Sequence, residues 1–370
     1  MKRSDILNFS IQINDGLTQT SGDGASLAFD KKYGIMFCSY MPGYQGSYGE
    51  SRGRIYLTYF PASQPTNLRN IEITNGNDVY CNNILGLGDG KVRVFYEKNS
   101  RVDGDHDLCY KDFDFITKEL SEEKTIMLKK DDGSIVKLTE SEQFAYLEKY
   151  GFYNHKYWYT EQIALGSHRI VRAEDGYVYG AITSILAEPI LYRSRDNLAT
   201  VEFFAICPYT AQYEMSYTFL DGNIYAIFRT DRDENSISLT SSPDMGKTWT
   251  PAVEIKGSIQ CRPRILTYQG EVLFAYNYFN ADTGNRPAIQ QGRTSVMMRY
   301  GHDIVAENNK VVADLYSKCG IVNIDIIDIL NDIYMAYSTS ELALEYQNGN
   351  PMVRGKDAVR YVKLGDLLEK

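Results

Sequence analysis

The stretch FLDGNIYAIF, residues 219–228, sets an Asp-Gly pair between two runs of alternating apolar residues. Asp-Gly in that context signals a tight β-hairpin, because both turn residues take positive φ while the flanking residues alternate between two faces. The signature returns as FDKKYGIMFCSY (29–40), LGDGKVRVFY (87–96), AEDGYVYGAI (173–182), TYQGEVLFAY (267–276) and ILNDIYMAY (329–337). The turns fall near Gly34, Gly90, Gly176, Gly222, Gly270 and Asp332, with gaps of 56, 86, 46, 48 and 62 residues. Most copies are followed by a further strand pair, such as GRIYLTYF then NLRNIEI, or NSISLTS then AVEI. Helical periodicity is nearly absent. About four strands per unit and six units predict an all-β fold, a six-bladed β-propeller of four-stranded antiparallel blades. A pair of β-sandwiches would not repeat one hairpin six times.

The blades are expected at 18–77, 78–130, 163–208, 209–256, 257–315 and 316–370, as one propeller domain over 1–370. NFSIQI (8–13) is expected to add an N-terminal strand to the blade of DAVRYVKL (357–364), which would remove open edges. The long second gap holds an insertion, 131–162. Within it, Thr139 and Glu142 form a capping-box start, and Phe144, Leu147 and Tyr150 follow at helical spacing, so a short helix is expected near 139–150. Such an insertion would serve either as a lid over the central pocket or as a surface packing element.

Bulk composition narrows the function. Apolar residues make up 43 % of the 370, an ordinary globular share. No apolar run is long enough to span a membrane. The start, MKRSDILNFSIQIND, lacks an apolar h-region, so the expected location is cytoplasmic, or secreted or periplasmic if a leader has been trimmed. The net charge of −9, with no long basic run, argues against nucleic acid. The six Cys are scattered without a CxxC pair and read as buried free thiols. The four His, at 106, 155, 168 and 302, show no ligand spacing, so no metal and no cofactor are expected. Tyr is abundant, at 30 residues, which suits strands and equally suits the rim of a sugar site.

The repeated hairpin also works as a ruler. Counting ten residues back from the first apolar residue after each turn reaches the start of the innermost strand, at the mouth of the channel. The positions are Ala25, Asn82, His168, Glu214, Arg262 and Asn323. Five of the six are polar or charged where a packed core would carry aliphatics. Buried charges must be paired or wet, and ligand sites are concave with a few convergent polar groups, so this ring is the expected site.

One further stretch carries a family resemblance. In SSPDMGKTW (241–249), Ser242 and Asp244 can bond their own turn backbone, Gly246 can supply positive φ, and Trp249 can tuck between sheets. The pattern resembles the Asp box, or BNR repeat, of the sialidase (neuraminidase) superfamily, S-x-D-x-G-x-T-W, at every defining position. Degenerate relatives are RSRDNLATV (193–201) and YKDFDF (110–115). The resemblance implies a six-bladed propeller, with the box on the face opposite the active site and no part in chemistry.

The resemblance also implies roles. Blade four reads YEMSYTFLDGNIYAIFRTD (213–231), with Glu214 and Arg229 bracketing one hairpin. In sialidases the matching Glu tunes a catalytic Tyr, and the Arg is one of three that clamp the substrate carboxylate, work suited to a planar fork. Arg293 in GRTSVMMRY (292–300) matches a second clamp position, with Arg299 as its competitor. The departures are equally plain. SGDGASLAF (21–29) lacks the first-blade Arg. GIVNIDIIDIL (320–330) offers Asn323 and Asp325 where the nucleophilic Tyr belongs. The loop MPGYQGSYGESRG (41–53) offers only Glu50 for the acid.

The reading that results is a sialidase-like glycoside hydrolase acting on an acidic or plant-type sugar, with carbohydrate as substrate, neither nucleic acid nor membrane as a partner, and the oligomeric state open. Glu214, His168 and Glu50 are the candidate catalytic groups. Arg229, Arg293, Arg262, Asn82, Asn323 and Asp325 are the candidate binding groups, Arg262 standing in for the missing clamp residue. His168 could serve as acid or base near neutral pH. Three alternatives stand beside this reading: a true exo-sialidase with displaced residues, a polysaccharide lyase using His168, Arg262, Asn82 and Asn83, and a carbohydrate-binding propeller without turnover.

Overall fold

The computed structural model describes residues 3–13, 22–42, 54–74, 79–99, 106–152, 163–164, 169–184, 187–209, 214–230, 235–279, 293–317, 320–339, 359–365 and 368. Its strands form six sheets, the blades of a six-bladed β-propeller. Blade one pairs Gly22–Asp30, Ile35–Pro42, Ile55–Pro61 and Arg69–Thr74 in sequence order. Blade four pairs Met215–Leu220, Asn223–Arg229, Ile237–Ser242 and Val253–Glu254 in the same way. The first strand of each is innermost, and neighbouring blades meet through those strands.

The turns follow the residues chosen for them. Asp89–Gly90, Asp221–Gly222 and Gln269–Gly270 each place two successive residues at positive φ, near 50° then 80°. Two positive φ values in succession define the hairpin turn whose twist matches the flanking strands, and Gly at the second position avoids the Cβ penalty. Blade six makes the same turn with Leu330 and Asn331, at φ 54° and 68°.

The expected N-terminal closure is present. Ile11–Gln12 pairs antiparallel with Val359–Lys363, completing blade six. A second contact was not anticipated: Ser4–Asp5 runs parallel to Lys310–Tyr316 and covers the outer edge of blade five. Arg3 holds that end by ion pairing with Asp314 and donating to Tyr278 Oη. One N-terminal segment thus caps two adjacent blade edges.

The first part of the insertion packs on blade three. Met127–Lys129 and Ile135–Lys137 form a hairpin whose first strand runs parallel to Thr200–Ile206 and extends blade three outward. The helix Glu140–Lys149 follows, with Thr139 Oγ1 capping the Glu142 amide. It buries Leu147 against Ala187 and Ile190, with Phe144 and Tyr146 packed alongside. Tyr150, expected on that face, is exposed at the helix end. The helix therefore packs against blade three; the aromatic stretch after it lies outside the described residues.

The core sits in the seams between blades. Leu273 and Met298 of blade five pack with Ile324 and Met335 of blade six, all inaccessible to solvent. Each fully buried side chain of this size contributes about 1.5–3 kcal/mol. The SSPDMGKTW turn works in one such seam. Ser242 Oγ donates to Asp244 and accepts the Gly246 amide at 2.7 Å, while Asp244 accepts both the amide and the hydroxyl of Thr248 at 2.7 Å. Gly246, at φ 88°, lies against Ala205 of blade three, where a Cβ would collide. Trp249 packs in the same seam.

The degenerate copy in blade three repeats this wiring. Ser194 Oγ donates to Asp196 and accepts the Leu198 amide, and Asp196 accepts the Thr200 amide. Leu198 fills the glycine position at φ 66°, its side chain wholly buried. YKDFDF makes a different turn, in which Asp114 accepts the amides of Ile116 and Thr117.

No described helix is long and apolar enough to cross a membrane. Among the described residues, no group of three or more His, Cys, Asp or Glu gathers as a metal site.

Candidate functional site

Strand register fixes which face carries the chemistry. Ser242 pairs with Ile224, beside the Asp221–Gly222 turn, so the SSPDMGKTW turn lies at the turn end of blade four. Glu214 and Arg229 lie at the other end, where the Arg229 amide donates to the Glu214 carbonyl at 2.8 Å.

At that end the side chains form a cationic cluster around one carboxylate. Arg229 Nη1 meets Glu214 Oε2 at 3.1 Å, and Arg229 Nη2 donates to Gln260 Oε1 at 2.7 Å. Arg293 Nε donates to the Gln260 carbonyl at 2.7 Å. Arg262, only 7 % exposed, keeps Nε and Nη1 buried without a hydrogen-bond acceptor among the described residues, and Arg229 Nε is in the same position. Burial works to raise the Glu214 pKa, but Arg229, Arg262 and Arg293 outweigh it and hold the carboxyl below the usual range. Glu214 is therefore an ionised group at neutral pH, suited to orienting cations, to accepting a proton or to facing developing positive charge. It is unsuited to act as a general acid. Arg299 turns away, donating to Tyr276 Oη and to the carbonyls of Ala306 and Asn309, so Arg293 is the arginine of this strand region that joins the cluster.

A second polar centre lies on the inner strands. Asp325 accepts Arg264 Nε at 3.0 Å and the Leu27 amide at 2.7 Å, tying blades five, six and one together. Both side chains of this ion pair are almost wholly buried, at 1 % and 3 % exposure. Burial lowers the Arg264 pKa, with Asp325 opposing it. Arg169 of blade three reaches the Ile326 carbonyl of blade six, on the opposite side of the ring. A cavity of about 300 Å³ adjoins these groups, lined by Ser26, Asn83, Arg169, Arg172, Asp325 and apolar inner-strand residues. None of Glu214, Arg229, Arg262 or Arg293 lines it.

The ruler fails where strands bulge. In blade two the register shifts between Tyr80 and Asn82. Asn82 consequently faces blade one, donating to Ser39 Oγ at 2.8 Å, and its neighbour Asn83 lines the cavity. In blade one a bulge between Asp23 and Ser26 leaves Ala25 in the core and turns Ser26 to the cavity. In blade six a bulge between Val322 and Asp325 holds Asn323 at φ 50°, and Asp325 takes the inward position. A bulge inserts one residue and re-aims the side chains beyond it, so a fixed count of ten misplaces the facing residue by one or two positions. His168 and Glu50 lie outside the described residues.

Two members of the site were not anticipated. Gln260 is neutral, and nothing in its residue type marks it. Arg264 stands two residues after Arg262 in CRPRIL, and period-2 alternation was the available signal that both share a face.

No protein-family model matches the sequence, and no curated protein matches it. Solved structures do. Trypanosoma rangeli sialidase in complex with sialic acid superposes with a TM-score of 0.60 at 12 % identity, over 98 % of this chain and 57 % of that one. This chain thus spans less than two thirds of that sialidase. The NanB sialidase from Streptococcus pneumoniae gives 0.58 at 13 % identity, over 97 % and 70 %. A Dyadobacter fermentans protein of unknown function gives 0.62 at 12 % identity, over 96 % and 98 %. At such identities the likeness shows the fold, a divergent sialidase-like propeller.

Proposed function

We propose that this propeller acts as a sialidase-like glycoside hydrolase on a glycan whose reacting sugar carries a carboxylate. The observation that carries the reading is the cluster at the Glu214 end of blade four, where Arg229 pairs with Glu214 and shares Gln260 with Arg293, and where buried N–H groups of Arg229 and Arg262 find no acceptor among the described residues. A buried unpaired donor costs about 1–3 kcal/mol, and an anionic acceptor recovers it. A carboxylate matches the planar fork of arginine bidentately. Glu214, held ionised, would sit beside the sugar ring and face the positive charge that develops as the glycosidic bond breaks. The leaving oxygen then needs a separate acid, for which His168 and Glu50 are the candidates.

A binding protein without turnover is the second reading. It is favoured by the innermost strand of blade six, VNIDIIDI, which offers no Tyr where sialidases place their nucleophile. Fluorogenic sialosides and uronides separate the two. Release by wild type that is lost in Glu214→Gln supports the hydrolase. Binding of the free acidic sugar without any release supports the binder, and neither binding nor release removes the acidic sugar from both readings.

A further inference from the structure

Three guanidinium groups around one carboxylate repel one another, so their spacing needs support that does not cancel their charge. Gln260 supplies it, through its side-chain oxygen to Arg229 and its main-chain oxygen to Arg293, both at 2.7 Å. Gln260 is 8 % exposed and lies two residues before Arg262, so one short segment holds two of the arginines and contributes the third. We propose that Gln260 is the positioning residue of this site, a neutral acceptor that fixes Arg229 and Arg293 while leaving their charge for a carboxylate-bearing sugar. The choice of ligand class rests on the function proposed above.

Glutamine and glutamate share a shape and differ in charge. Glutamate at 260 would fill the same volume and accept from both arginines. It would also add a second anion beside the Glu214 carboxylate on which Arg229, Arg262 and Arg293 act. An incoming carboxylate would then compete with a resident one. Glutamine accepts the same hydrogen bonds and leaves the cationic excess in place.

The test compares wild type with Gln260→Glu and Gln260→Met by calorimetric titration with N-acetylneuraminic acid and with D-glucuronate. The Glu214 carboxyl is titrated in parallel by carbon-detected NMR. Gln260→Glu is expected to weaken binding at least tenfold and to raise the Glu214 titration midpoint, because the arginines are now shared. Gln260→Met, which keeps volume and the main-chain oxygen for Arg293 but removes the side-chain acceptor for Arg229, is expected to weaken binding while moving Glu214 less. Equal affinities in wild type and Gln260→Glu overturn the proposal. So does an equal loss in both variants with Glu214 unmoved, which is the mark of a merely structural residue. If wild type binds neither sugar, the carboxylate-sugar reading fails, and the Glu214 titration alone still decides Gln260. If Gln260→Glu does not fold, unchanged affinity and an unchanged Glu214 midpoint in Gln260→Met overturn the proposal.

Discussion

Two arginine–carboxylate pairs stand at the inner strands of this propeller, and they are built to different ends. Arg264 and Asp325 are almost wholly buried, and Asp325 also accepts a main-chain amide from the next blade. Arg229 and Glu214 are more open, at 16 % and 13 % exposure, and two further arginines act on the same carboxylate. Each pair meets at about 3 Å, so distance does not separate them. What separates them is surplus. In the first pair Asp325 accepts both Arg264 Nε and the Leu27 amide, which welds three blades. Around the second, N–H groups of Arg229 and Arg262 have no acceptor among the described residues, a cost that a structural pair has no reason to carry.

The largest effect should come from opening the closed pair. Asp325→Ala takes the hydrogen-bonded carboxylate from the buried Arg264 guanidinium and the acceptor from the Leu27 amide, and should lower unfolding free energy by about 3–5 kcal/mol. The double variant Arg264→Met/Asp325→Leu should recover part of that loss, since apolar replacement of a buried pair is often neutral while the Leu27 amide still lacks its acceptor. Urea denaturation of the three proteins checks both statements. A single variant as stable as wild type would mean that the pair is not a weld.

The open pair should behave in the opposite sense. Arg262→Met removes a buried cation two of whose nitrogens have no acceptor among the described residues, so stability should hold or rise. Affinity for an acidic sugar should fall by about ten- to a hundredfold, the equivalent of roughly 1.4–2.8 kcal/mol. Thermal melting and calorimetric titration of one preparation give both numbers. A variant that loses stability and keeps affinity would make Arg262 a structural residue like Arg264.

Legibility in the sequence divides along the same line. The hairpins were readable because Asp-Gly turns and period-2 alternation are local, and so was the 15-residue spacing that puts Glu214 and Arg229 at one end of a hairpin. The bulges were not, because the extra residue in a strand is revealed only by its partner. That is why Asn82 was read inward when Asn83 faces the cavity. The Arg264–Asp325 weld joins residues 61 positions apart across two blades, and no local pattern announces such a contact. The hairpin before the helix was likewise unforeseen, since its parallel partner lies at Thr200–Val201.

A smaller effect is expected at the far ends of blades three and four. Ser194→Ala and Ser242→Ala each remove the acceptor for one turn amide, Leu198 or Gly246, and should each cost about 1 kcal/mol. Neither should alter ligand affinity, because Ser242 pairs at the turn end of blade four, away from Glu214. A change in affinity in Ser242→Ala would break the separation of staple from site.

The smallest expected effect is the pH dependence of the open pair, and its sign follows from the arginines. They hold the folded pKa of Glu214 below its unfolded value, which lies near 4.3. The folded state therefore binds that proton less readily than the unfolded chain. The resulting stability is fully present above the unfolded value and is lost as pH falls through the folded one. Glu214→Gln has no such proton to take up. Its stability deficit relative to wild type should be constant from pH 7 to about pH 5, and should shrink below about pH 4.3 as wild type is protonated. Urea midpoints of both proteins at each pH check this. A deficit that does not narrow in acid would mean that Glu214 is not held by the arginine charges, and the open pair would then have to be explained without them.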